Sequence, residues 1–142
     1  MITEDYVSFE IAKLLKEKGF NEPCHATYDT AVTGGKPKFS EYEVLSYFPY
    51  GMKNTDDMYN MVISAPTLQM AMKWLREVHK LDIDVSIEYI PKIENILKKV
   101  YYYSILKKTA IRDIDCLHSE TNFKSYEEAC ETAIKYCLEN LI

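Results

Sequence analysis

The residues best suited to chemistry lie in "KKVYYYSILKK", Lys98 to Lys108, where three tyrosines stand between two lysine pairs. Proteins that hold single-stranded nucleic acid combine stacking rings with cationic side chains, each stacked base being worth about 1–3 kcal/mol. The charge pattern fits this stretch. Residues 92–112 hold Lys92, Lys98, Lys99, Lys107, Lys108 and Arg112 against the single acid Glu94, in a chain whose net charge is −5. That window is +5 and the remainder −10, so one segment attracts phosphate while the rest repels it. On a strand, Tyr101, Tyr103, Ile105 and Lys107 share one face, and Tyr102, Ser104, Leu106 and Lys108 the other. If either face is core, one or two tyrosines are left for stacking. Lysines at strand ends also guard against edge-to-edge aggregation. The structural reading therefore outweighs nucleic-acid binding, for which Lys98, Lys99, Tyr102, Lys107 and Lys108 are the candidate residues.

Other chemistries fare less well. Cys24-His25 and Cys116-x-His118 are the Cys/His pairs. Adjacent strand residues point to opposite sides, so Cys24 and His25 do not readily share a metal, and the paired spacing of structural zinc is missing. Cys24, near Lys18 and His25, is a candidate activated thiol, although a small buried cysteine is the plainer reading. There is no G-x-S-x-G elbow. His79 ends a predicted helix, where a partial positive charge complements the terminus. "TGGK", Thr33 to Lys36, is not a nucleotide-binding loop, since Thr30 and Pro37 stand where a glycine and a Ser or Thr are required. The expectation is a protein without catalysis, metal or cofactor.

The elements that must position these residues follow from periodicity. "TEDYVSFEIAKLLKEKGF" predicts a helix capped by Thr3 or Asp5, with Val7, Ile11, Leu14 and Leu15 on one face and Gly19 ending it. "CHATYDTAV" and "SEYEVLSYF" predict two strands around a Gly/Pro turn, followed by a loop through residues 49–60. "SAPTLQMAMKWLREVHKL" predicts a second helix with Pro66 in its first turn and Leu68, Ala71, Met72, Leu75 and Val78 inward. Met70 and Trp74 widen its apolar face, either as core or as a contact edge. "IDVSIEYI" alternates, with Ile83, Val85, Ile87 and Tyr89 on a buried face. "VYYYSILKKTAI" is the next strand and "DIDCLHSETNF" a loop. "SYEEACETAIKYCLENLI" predicts a last helix with a capping box from Ser125 to Glu128 and an inward stripe of Tyr126, Ala129, Cys130, Ala133, Ile134, Cys137 and Leu141.

The fold class expected is α+β: an antiparallel sheet of about four strands in two hairpins, three helices, order α-β-β-α-β-β-α, one domain over residues 1–142. A faint echo between "LLKEKGF" and "WLREVHKL" hints weakly at duplication. The four cysteines read as reduced thiols; Cys130 and Cys137, seven apart on a helix, lie about 10 Å from each other, too far to bridge. With no apolar run near 18 residues and no export signal at "MITEDYVSFE", a cytoplasmic protein without a membrane partner is expected.

"YVSFEIAKLLKEKGFNEPC", "ISAPTLQMAMKWLREVHKLDI" and "SYEEACETAIKYCLENLI" resemble a group of small proteins of no known activity, encoded in phage and mobile-element DNA of gut bacteria. The resemblance implies an accessory protein acting inside a bacterial cell. Tyrosine, tryptophan and methionine are enriched at protein contacts. The expected function is thus contact with another protein, or with a second copy in a homodimer, through Met70, Trp74, Tyr47, Tyr50 and Tyr59. Nucleic-acid binding is the first alternative, and an enzyme with a cleft assembled from distant residues the second.

Overall fold

Ser8 starts the first helix because its hydroxyl accepts from the Ile11 amide at 3.4 Å, taking the capping place expected of Thr3 or Asp5. Helix α1 then runs Phe9–Glu17 with Ile11, Ala12 and Leu15 buried. Gly19, at φ +91°, turns the chain out of the helix so that the Phe20 amide reaches the Leu15 carbonyl at 2.9 Å and its ring is buried. A computed structural model describes residues 1–30, 36–41, 50–57 and 61–142. Their order is α1, β1 (Ala26–Asp29), β2 (Lys38–Glu41), β3 (Val62–Ser64), α2 (Leu68–His79), β4 (Asp82–Pro91), β5 (Leu97–Lys108), β6 (Ile114–Phe123) and α3 (Tyr126–Asn140). Short 3₁₀ turns sit at Asn54–Asp56 and Ile93–Asn95.

The class is α+β with three helices, as expected, but among the described residues the strands number six and form two three-stranded antiparallel sheets in place of one sheet of about four. Two strands account for the difference. β3 is three residues long, too short to show a period. β6 replaces the loop expected at "DIDCLHSETNF". Its pairing slips twice against β5: Tyr101 and Tyr103 face Phe123 and Glu120, and Ile105 and Leu106 face His118 and Cys116. Each slip inserts one extra residue into β6, and Asn122 takes φ +78° at the first.

Contacts group the chain into two units, Met1–Met70 and Ala71–Ile142. The first sheet has the order β2-β1-β3 and the second β4-β5-β6. Its earliest strand is central in one and at the edge in the other, so the faint repeat of helix endings does not extend to topology. In the first unit, Asn54 is buried with both ends of its amide satisfied: Nδ2 donates to the Phe20 carbonyl at 2.8 Å, and Oδ1 accepts from the Ser64 amide at 2.9 Å. Tyr28 shows why tyrosine suits such positions. Its ring lies between Phe9 and Phe39, while its hydroxyl donates to the Val7 carbonyl at 2.7 Å.

Thr67 caps α2 by accepting from the Met70 amide at 3.1 Å, which leaves Pro66 before the helix and not inside its first turn. Leu68, Ala71, Met72 and Leu75 are buried as expected, and Val78 is 55% exposed, contrary to expectation. In the second unit α3 lies against all three strands. Ser125 accepts from the Glu128 amide at 3.1 Å, and the Glu128 carboxylate accepts from the Lys124 amide at 3.2 Å, one residue before the position a standard box would use. The fully buried stripe of Ala129, Cys130, Ala133, Ile134 and Cys137 is small enough to let the helix backbone approach the sheet. Among the described residues no helix is long and apolar enough to cross a membrane.

Candidate functional site

The β4–β5 hairpin shapes the second unit. Its register is unbroken from Asp82 opposite Leu106 to Pro91 opposite Leu97. Ile83, Val85, Ile87 and Tyr89 therefore share a face with Ile105, Tyr103, Tyr101 and Lys99. This is the face that α3 covers: the rings of Tyr101 and Tyr126 are 6.4 Å apart, and those of His118 and Tyr136 stack at 3.7 Å. Tyr126 begins the helix, so the hairpin runs on past its start. From Tyr101 to the end of β5 at Leu97 the overshoot is about 14 Å at the rise of a strand. Tyr89, expected to be buried, is 59% exposed for this reason, and Ile87, opposite Tyr101 on the edge strand and also expected to be buried, is 48% exposed. Ile93, Ile96 and Leu97 at the tip are 60–85% exposed. The turn itself is tight, with Glu94 and Asn95 both at positive φ and the Lys92 amide donating to the Ile96 carbonyl at 2.6 Å.

The lysine pairs stand at opposite ends of β5. Lys99 and Lys107 are eight residues apart, about 27 Å along a strand and well beyond the screening length of about 8 Å at physiological salt. Between them the neighbouring strands place acids: Asp84 opposite Ser104, Glu88 opposite Val100, and Glu120 opposite Tyr103. The +5 window is thus two small basic clusters with a carboxylate-bearing centre. Tyr102 is half-buried in that centre and lines a shallow groove of about 460 Å³ with Ile87, Glu88, Ser104, Ser119, Glu120 and Thr121. Thr121 donates to Glu88 at 3.4 Å, a bond that crosses the central strand. Phosphate oxygens would meet two carboxylates here. Lys98, Lys99, Lys107 and Lys108 are all exposed, and the Lys99 ammonium sits 5.2 Å from the Tyr101 ring centre.

A second cluster joins β5, β6 and α3. The Tyr103 hydroxyl donates to Glu120 at 2.9 Å, and His118 Nε2 lies 3.9 Å from the same carboxylate oxygen. Burial, then the bond and charge of Glu120, push the Tyr103 phenol well above its usual range, so it keeps its proton and serves as a donor. A histidine beside a carboxylate suits acid–base work, yet Glu120 lines the groove and His118 does not. The two do not converge on this groove.

The three buried thiols are equally unready for attack. Burial pushes Cys24 up to about 12, Cys130 up to about 11 and Cys137 up to about 12. Cys24 is buried while His25 is exposed, as alternation requires. Among the described residues no three His, Cys, Asp or Glu side chains gather to hold a metal ion. Burial lowers His79, favouring its neutral form over the charge expected at a helix end.

Of the residues expected to form a contact patch, Trp74 is 7% exposed, its ring 4.7 Å from that of His79. Met70 is half-buried, with its sulfur 3.8 Å from the Cys24 thiol. Tyr50 is 84% exposed. Tyr47 and Tyr59 lie outside the described residues. The hairpin overshoot carried a signal in the sequence: six large apolar residues within Ile87–Leu97, more than the short connection there could cover.

Comparison with protein families, curated proteins and solved structures found no match to this chain.

Proposed function

We propose that the protein is a non-catalytic interaction module that binds another protein through the overshooting end of the β4–β5 hairpin. One observation carries this reading. Ile87, Tyr89, Ile93, Ile96 and Leu97 leave large apolar side chains 48–85% exposed in one short stretch of paired strand and turn. Soluble chains seldom leave such a patch uncovered unless something docks on it. Lys92, Lys98 and Lys99 border it, giving the polar rim that protein contacts commonly have. An accessory role in phage or mobile-element maintenance is the setting that the resemblance implies.

The test is affinity capture from the protein's own host cells with mass spectrometry, with and without nuclease, using wild type and an Ile93→Glu, Leu97→Glu double variant. Both positions are exposed, so the variant should keep its far-UV circular dichroism. A partner lost in the variant and retained after nuclease supports the reading. Capture that disappears with nuclease favours nucleic acid, and capture indifferent to both substitutions removes the hairpin end from consideration. Light scattering on the same samples reports whether the partner is a second copy.

A further inference from the structure

The two edges of the second sheet are not alike. β6 carries two bulges, which break the even spacing that a further strand would need. β4 pairs with β5 over its whole ten-residue length without a slip. The Lys92 amide donates to the Ile96 carbonyl, continuing the same register beyond Pro91. In an antiparallel ladder bonded pairs alternate, so the even residues of β4 bond inward to β5. The amides and carbonyls of Ile83, Val85, Ile87 and Tyr89 then point outward, away from the sheet. Pro91 agrees with this phase, because its missing amide falls at an outward position.

The side chains along this edge are sorted by face. Ile83, Val85, Ile87 and Tyr89 lie on the side of α3, and Asp82, Asp84, Ser86 and Glu88 on the other. Asp82, Asp84 and Glu88 are all exposed. A second copy fits poorly. When two β4 strands pair antiparallel with apolar faces matched, acid falls opposite acid in every register centred from Ile83 to Glu88 except the one on Ile87: centred on Ser86, Asp84 meets Glu88, centred on Val85, Asp82 meets Glu88, and centred on Asp84, it meets itself. Directly opposed like charges destabilise a strand pair. A strand bearing lysine or arginine at alternate positions meets the same carboxylates with attraction.

We infer that β4 is an acceptor edge for an extended segment of a partner protein in which apolar and basic residues alternate, so that strand addition lengthens the sheet from β4 outward. The backbone supplies hydrogen bonds, and the sorted faces supply the choice of partner. The inference rests on the reading of the protein as an interaction module and names the chemistry of what it binds.

The probe is an eight-residue capped peptide of alternating lysine and valine, titrated into the whole protein and followed by amide NMR. Its controls are a peptide with glutamate for lysine and one of the same composition with four lysines followed by four valines. The alternating basic peptide should bind best and slow exchange at the Ile83, Val85, Ile87 and Tyr89 amides. Ile87→Pro removes one outward donor and leaves the β5 ladder intact, and should weaken binding roughly tenfold. Asp84→Lys with Glu88→Lys alters exposed side chains, giving up only surface bonds from Ser86 and Thr121, and should shift preference to the glutamate peptide even if the proline variant folds poorly. Equal binding of the block peptide, no protection along β4, or no change of preference on charge reversal would each overturn the inference. If the peptide fails while capture still depends on Ile93 and Leu97, the edge is refuted and the interaction reading stands.

Discussion

Gly51 offers the most quantitative test of the first unit. It holds φ +92°, and a Cβ placed on it would lie 2.8 Å from the Cys24 carbonyl oxygen and 3.0 Å from the Cys24 carbonyl carbon and amide nitrogen. These contacts are with backbone, and that backbone is fixed by paired bonds: the Cys24 amide to the Met52 carbonyl at 2.9 Å, and the Met52 amide to the Cys24 carbonyl at 2.8 Å. Gly51→Ala therefore incurs the left-handed penalty of about 1–2 kcal/mol. It adds an overpacking cost of about 1–3 kcal/mol. The sum, about 2–5 kcal/mol, would lower a urea midpoint by about 1–2.5 M at a slope of about 2 kcal/mol per M. Gly19→Ala is the internal control. Its φ is nearly the same, +91°, but a Cβ there meets nothing within 4 Å among the described residues. It should show the conformational penalty alone. Far-UV circular dichroism in urea measures both, since the single tryptophan, Trp74, belongs to the other unit. Amide exchange at Cys24 and Met52 localises the damage. The reasoning is refuted if the two alanine variants unfold at the same urea concentration with the Cys24 and Met52 amides equally protected.

Ser125→Ala removes the hydroxyl that accepts from the Glu128 amide and should destabilise the second unit by about 0.5–2 kcal/mol, read as a drop in thermal midpoint, with Ser125→Asp restoring most of it. His79 tests a pH dependence. Burial lowers its value below 6.5 in the fold, and its buried Nε2 has no hydrogen-bond partner among the described residues. The unfolded chain then binds the proton more readily. Stability should be complete above about 6.5 and fall as pH drops below it. His79→Phe should flatten that fall relative to wild type in paired urea melts at pH 7.5 and 5.5, and an unchanged difference between the two pH values would count against it.

Local patterns in the chain were enough for the helices and for the class of the fold. Ile11 and Leu15, or Ala129, Cys130, Ala133, Ile134 and Cys137, recur at the helical period because one face must meet the core. Ser125 with Glu128 and the glycine after α1 mark their ends by bonds that span a few residues. The clean alternation of β4 was legible for the same reason. β6 was not, because two bulges erase its period and its residues are almost all exposed, so neither signal of a strand survives in order along the chain. The candidate site lay further from view. Lys98 and Lys108 look like one basic segment when read in sequence. Their separation along an extended strand, and the acids that β4 and β6 bring between them, exist only once three strands are side by side. Trp74 shows the converse. An apolar stripe tells that a surface will be covered but not by what, and burial took Trp74 from the candidate patch while the length of β4 and β5, greater than α3 can roof, exposed Tyr89. Periodicity records which face of an element is apolar. How far two elements overlap is a property of their packing, and that overlap decided which apolar residues remain for a partner.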